Sequence, residues 1–263
     1  RLWGTSVLLA GIYMVSTSAG MAGLTGRQVM DEQKKRHESV SEFEKVKMVL
    51  IDSANKQEAR EVVRYSKKGG DDLFKYLLRF ESPADVRGVS LLTWQQKGRE
   101  DDQWLYLPAL GEKMKRIAGG GKKSYFMGTD FAYEDLRSEK LDDHTYNVVK
   151  EDNADGKACY VVEALPANEE EKRSSGYSKR LMWVAKDTYV SLKVEYYDQG
   201  GKLMKTATSF DLKPVKGSMM RAGKVLMEHH LNKHKTVMGA VERAVNEPVD
   251  NAIFTERTVL SFK

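Results

Sequence analysis

The chain has a single cysteine, Cys159, so an internal disulfide is excluded. Cys159 opens the apolar run Cys159-Tyr-Val-Val and has no neighbouring base or helix N-terminus to activate it. It reads as a small buried hydrophobe. Long apolar runs are also scarce. The first residues hold one, shorter than the roughly 20 residues that a membrane-crossing helix needs, and no second run follows. No block of one charge sign exists: the net charge of +5 comes from 43 basic and 38 acidic residues scattered along the sequence. A nucleic-acid protein would show a basic stripe interleaved with aromatics, so no nucleic-acid partner is expected. There is no Gly-x-Ser-x-Gly elbow, and the triple glycine at 119–121 leads into Lys122-Lys123 rather than a Gly-Lys-Ser/Thr phosphate signature.

What is present begins with an address. Arg1 precedes the apolar stretch Val7 to Val15, and small residues follow from Ser16 to Ala22. This order is that of a signal peptide, with cleavage expected after Ala22 and, as alternatives, after Ala19 or Gly20. Residues 1–22 are thus expected to be removed, leaving one mature domain over 23–263 outside the cytoplasm. With no cysteine near the cut, lipid attachment there is not expected.

The mature chain starts with capping-box spacing, Thr25-Gly-Arg-Gln28, which predicts a helix over 25–38. The period then changes to two. Val46, Met48 and Leu50 share one strand face, as do Phe74, Tyr76, Leu78 and Phe80. Val190, Leu192, Val194 and Tyr196 form a third such set, Thr206, Thr208 and Phe210 a fourth, and Val225, Met227 and Leu231 a late one. Gly69-Gly70, Asp155-Gly156, Gly200-Gly201 and Lys216-Gly217 supply tight turns between neighbouring strands. Turns this short join antiparallel strands, whereas parallel pairing needs crossover helices. The expected fold is mainly β, a large curved antiparallel meander. Ser82-Pro83 reads as the start of one helical turn, and 249–263 as a short turn with a last strand. A curved sheet with one apolar face and few helices must close, pack on another sheet, or line a cavity.

Two clusters raise the question of chemistry. His229, His230 and His234 offer a metal set, but on one strand His229 points away from the other two, so no metal or other cofactor is expected. Asp130, Glu134 and Asp135 offer carboxylates, yet they sit where turns and caps need them, and no enzyme activity is expected. Arg87 and Arg116 read first as surface or pairing residues, with a cargo head group or a buried carboxylate as the alternative partner.

Three blocks carry a resemblance: Phe80-Glu-Ser-Pro-Ala-Asp-Val-Arg-Gly88, Trp104-Leu-Tyr-Leu-Pro108 with Lys115-Arg116-Ile117, and Phe126-Met-Gly-Thr-Asp-Phe-Ala-Tyr-Glu-Asp-Leu136. In this order they resemble the bacterial outer membrane lipoprotein-sorting protein family, related to the periplasmic lipoprotein carrier LolA. The likeness runs from about residue 25 to 262. It implies a strongly curved, unclosed antiparallel half-barrel with a few short helices covering a concave apolar face. It further implies a soluble periplasmic carrier of lipid or lipoprotein acyl chains between the inner and outer membranes, with transient membrane contact and an inner-membrane exporter of the resistance-nodulation-division (RND) type as partner. A non-carrying accessory subunit of such an exporter, and a lipid-processing enzyme, are the alternatives. The residues expected to line the lipid cavity are Met48, Phe74, Tyr76, Leu78, Phe126, Phe131, Leu192, Val194, Phe210 and Met227. Twelve methionines suit an adaptable apolar surface.

Overall fold

The computed structural model describes residues 23–111, 113–117 and 121–262. The segment read as a signal peptide lies outside them. The chain runs α1 (Gly26–His37), β1 (Ser41–Ile51), β2 (Gln57–Lys68), β3 (Phe74–Ser82), β4 (Ser90–Trp94), β5 (Asp102–Tyr106) and β6 (Lys115–Arg116). After an insertion come β7 (His144–Ala154), β8 (Lys157–Pro166), α2 (Glu169–Ser174), β9 (Lys179–Ala185), β10 (Ser191–Tyr197) and β11 (Leu203–Phe210). A separate hairpin of β12 (Lys213–Lys216) and β13 (Met219–Arg221) precedes β14 (Lys224–His229), β15 (His234–Val245) and α3 (Glu256–Ser261).

Among the described residues, thirteen strands form one sheet in the order β6-β5-β4-β3-β2-β1-β15-β14-β11-β10-β9-β8-β7. Its paired neighbours are antiparallel. The ends, β6 and β7, do not pair with each other, so the sheet is an open half-barrel. The glycine turns fall between consecutive strands; Gly156, Gly201 and Gly217 take positive φ (71°, 79° and 55°), whereas in the turn after Gly69-Gly70 Asp72 does so, at 62°.

The capping box forms as read. The Thr25 side chain accepts from the Gln28 N–H, and the Gln28 side chain accepts from the Thr25 N–H. α1 then lays Val29 and Met30 on the concave side of β7–β9, against Tyr146, Val162, Ala164, Met182 and Val184. Gly26 makes this approach possible. A Cβ there would sit 2.5 Å from the backbone of Tyr146 and Asn147.

Two expectations for local structure fail. Residues 84–88 form successive turns rather than a helical turn, with Ser82 still in β3 and the Gly88 N–H bonded to the Phe80 carbonyl. The chain end is helical, not a strand: the Thr255 hydroxyl accepts from the Thr258 N–H and starts α3. Phe254 and Val259 then pack on Leu77, Leu92 and Tyr106. These belong to the convex face of β3–β5, so apolar residues of β3 are covered on both sides.

Candidate functional site

The concave face is built by strand parity. In β1 the inward residues are Glu42, Glu44, Val46, Met48 and Leu50; opposite them on β2 stand Ser66, Arg64, Val62, Arg60 and Glu58. β3 continues the row with Tyr76, Leu78 and Phe80. The face is therefore apolar in the middle and charged toward one end.

The insertion between β6 and β7 fills the apolar middle. Phe126, Phe131, Tyr133 and Leu136 join Val46, Met48, Val62, Phe80 and Met227 in one buried cluster. The Phe126 and Phe80 rings stack with centroids 5.5 Å apart. Polar bonds fasten the insertion on three sides. Arg60 donates to the Met127 carbonyl at 2.6 Å. The Asp130 carboxylate accepts from the Thr236 hydroxyl at 2.7 Å and meets His234 Nδ1 at 2.7 Å. Lys205 donates to Asp135 at 2.6 Å and to the Asp130 carbonyl at 3.0 Å.

Lys205 is the residue that strand reading misses. It faces inward from β11, is completely buried, and sits 5.0–5.3 Å from the ring centres of Tyr125, Tyr177 and Tyr196. Burial, with the nearby carboxylates Asp135, Asp130 and Glu134, pushes the Tyr125 hydroxyl up to about 12. Burial and the adjacent Asp135 likewise raise Glu134, whose carboxylate accepts from the Ser175 hydroxyl and the Gly176 N–H. Asp135 does cap the Ala132 N–H, as its position suggested. Its second role against Lys205 had no local signal.

The three histidines part company because residues 230–233 form a turn, so the late strand ends at His229 and Leu231 is exposed. His229 Nδ1 accepts from the Asn232 N–H, which leaves its proton on Nε2 beside the Tyr125 hydroxyl, 2.9 Å away. Burial lowers the His229 pKa. His230 contacts Thr206 instead, and His234 contacts Asp130.

Open space remains on the charged side of the insertion. A chamber of about 420 Å³ lies beneath the C-terminal end of α1. Phe74, Tyr76, Leu78 and Leu136 form one wall, and Glu42, Glu44, Arg64, Arg221 and Arg243 the other. Arg221 is bidentate to Glu42, with contacts of 2.8–3.2 Å, while Glu44 takes Arg243 at 2.8 Å and Arg64 at 3.1 Å. Burial alone would raise Glu44, but Arg64 and Arg243 hold it below the usual carboxylate range. A smaller cavity of about 230 Å³ shares Asp135 and Arg137 with the chamber and is lined by Met30, Val194 and Tyr196.

The ten residues read as cavity candidates divide into three groups. Phe74, Tyr76, Leu78 and Val194 line these spaces. Met48, Phe126, Phe131 and Met227 are inside the closed cluster that the insertion forms with the sheet. Leu192 and Phe210 face the other way. A β-bulge between Ser191 and Lys193 rotates Leu192 outward, where it packs on Cys159, Val161, Trp183 and Ala185. In β11 the inward parity belongs to Lys205, Ala207 and Ser209, because Ala207 pairs with Met227. Phe210 therefore lies outside, under Lys224 with its Nζ 4.9 Å from the ring centre. The arginines also divide: Arg116 pairs with Asp102, and Arg87 is exposed. The charged wall carried a usable signal, since Glu42 and Glu44 keep the parity of Val46, Met48 and Leu50.

An open antiparallel half-barrel, roofed on its concave side by one helix and an insertion around an amphipathic chamber, defines a LolA-like fold. A solved structure from Vibrio parahaemolyticus, described as an outer membrane lipoprotein-sorting protein domain, is 31% identical. The match covers 89% of this chain and 98% of that one, with a TM-score of 0.83. A DUF1329 family protein from Desulfovibrio piger is 26% identical over 89% of this chain and 97% of that one, TM-score 0.83. A LolA superfamily protein from Nitrosomonas europaea shares the fold at 22% identity and TM-score 0.70, over 89% and 98% of the two chains. A family model described as "Uncharacterized protein" matches residues 72–260. No curated protein sequence matches. The chain belongs to the outer membrane lipoprotein-sorting protein family.

Among the described residues, no helix is long and apolar enough to cross a membrane.

Proposed function

We propose that the protein is a periplasmic carrier, exported by the signal peptide at 1–22, that holds lipid or lipoprotein acyl chains in the half-barrel and moves them between the inner and outer membranes. The observation that carries this reading is the chamber of about 420 Å³ with the apolar wall of Phe74, Tyr76 and Leu78. Its volume falls in the range of about 300–1,000 Å³ usual for small-ligand sites. Each methylene moved from water into such a wall contributes about 0.8 kcal/mol, so a long chain binds without a polar code. An inner-membrane RND-type exporter is the proposed source of cargo. The test is native mass spectrometry of protein purified from its export compartment, with uptake of a fluorescent fatty acid as the companion assay. Co-purified lipid and saturable uptake support the carrier; neither lipid nor uptake sinks it.

A second reading rests on the insertion. The centre of the concave face is occupied by the protein's own Phe126, Phe131 and Leu136. A non-carrying subunit docked on an exporter would need nothing more than this filled face. The same uptake assay separates the two readings.

A further inference from the structure

Resting on the carrier reading, we propose that the chamber beneath α1 is a site for an anionic amphiphile. Arg64 receives a carboxylate or phosphate head, and the Phe74–Tyr76–Leu78 wall holds the start of the chain. Parity places both parts on one surface, because Arg64 on β2 pairs directly with Leu78 on β3.

The charges at this wall do not balance. Three guanidiniums, Arg64, Arg221 and Arg243, face two carboxylates, Glu42 and Glu44. Arg221 is committed to Glu42 through both oxygens, and Arg243 to Glu44. The other acids at the chamber have their own cations: Glu38 holds Lys68 at 2.7 Å, and Asp135 holds Lys205 at 2.6 Å. Arg137, also at the wall, is paired with Asp101 at 3.2 Å. Arg64 is left with one hydrogen bond, 3.1 Å to Glu44, among the described residues. A guanidinium has five N–H donors in a planar fork, so most of the Arg64 capacity faces the chamber and solvent. Its side chain is 34% exposed, against 15% for Arg243 and 19% for Arg221. A wholly apolar guest would strip water from this guanidinium and return no acceptor, which is unfavourable. An anionic head supplies the acceptor and a bidentate geometry.

The test compares four probes by calorimetry on the full mature protein: dodecanoate, lauroyl lysophosphatidate, dodecanol and inorganic phosphate. Both anionic amphiphiles should bind about tenfold more tightly than dodecanol, the ratio expected from a charge-assisted bond. Arg64→Gln should erase that preference while leaving dodecanol affinity unchanged. Should Arg64→Gln fail to fold, Arg64→Lys serves, keeping the charge but losing the fork and most of the preference for the phosphate head. Equal binding of dodecanol and dodecanoate, or an unchanged preference in the folded variant, overturns the head-group assignment while the carrier reading stands. Inorganic phosphate binding as tightly as lysophosphatidate also overturns it, by revealing a free-anion site. Binding of no amphiphile removes both readings together.

Discussion

Lys205 Nζ lies 2.6 Å from Asp135 Oδ2, and the two side chains are 0% and 5% exposed. This pair joins the sheet to the insertion, since Lys205 belongs to β11 and Asp135 to the segment that fills the concave face. Removing one partner leaves a buried charge uncompensated, which typically costs about 3–5 kcal/mol. Lys205→Met should therefore lower the unfolding free energy measured by urea titration by that amount. Lys205→Met with Asp135→Asn should recover a large part of the loss. A double variant whose loss equals the sum of the losses of Lys205→Met and Asp135→Asn would mean that the pair is not coupled.

The bulge in β10 separates two neighbours of similar chemistry. Val194→Glu places a charge in the cavity beside Met30 and Tyr196, and should abolish fatty-acid uptake by a protein that still folds. Leu192→Glu buries a charge in the outer cluster around Trp183 and should unfold the protein, as read by circular dichroism. Phe210→Ser, on the outer side, should leave uptake unchanged.

Phe126, carried by the insertion, is wholly buried and stacks on Phe80. Phe126→Ala should destabilise by about 3–5 kcal/mol in chemical denaturation. If the insertion limits how far a chain reaches along the face, the variant should also take up longer acyl probes than the parent. An unchanged chain-length profile would assign the insertion a purely structural role.

Burial lowers the pKa of His229 in the folded state relative to the unfolded chain. The unfolded state then binds more protons as the solution is acidified. The contribution of His229 is complete above the unfolded value near 6.5 and is lost as pH falls through the folded value. His37 shifts the same way, again through burial, whereas the raised Glu134 acts in the opposite sense. The difference between variants isolates the effect: His229→Gln should show a smaller drop in melting temperature from pH 7.5 to 5.5 than the parent. An equal drop would assign the pH dependence to other groups.

Gly26→Ala tests the seat of α1. Alanine normally favours a helix over glycine by up to about 1 kcal/mol. Here its Cβ would lie 2.5 Å from the backbone of Tyr146 and Asn147, which cannot rotate away. The variant should melt lower than the parent, and a higher melting temperature would show that α1 can shift without loss.

Much of this architecture can be read from local signals. The capping box at Thr25, the period-two runs of β1 and β3, and the glycine turns each encode their own geometry within a few residues. Parity fails where a register shift intervenes, as at Leu192, because nothing nearby marks the bulge. It fails again where the largest hydrophobe is not the inward one, as at Phe210, because the pairing of Ala207 with Met227 decides the face. Lys205 is invisible for a different reason. A lysine in a strand reads as a solvent residue until its partner, Asp135, is brought 70 positions closer by the fold. The charged chamber wall comes from β1, β2, β13 and β15 together, so only the in-phase Glu42 and Glu44 hinted at it.

The unpaired ends of the sheet carry a risk that a closed barrel does not have. Among the described residues β7, eleven residues long, has no partner strand on its outer side, which makes it a template on which a second molecule can add a strand. Its ladder to β8 is broken by a bulge between Val148 and Lys150, and Lys150, Glu151 and Asp152 follow the break. At the other end β6 is two residues long, and both are cations. A protein that keeps its mouth open in this way avoids fibre-like stacking through kinks and charge at the margins, and substitutions that neutralise Lys150 or Glu151 put its solubility at stake before its fold.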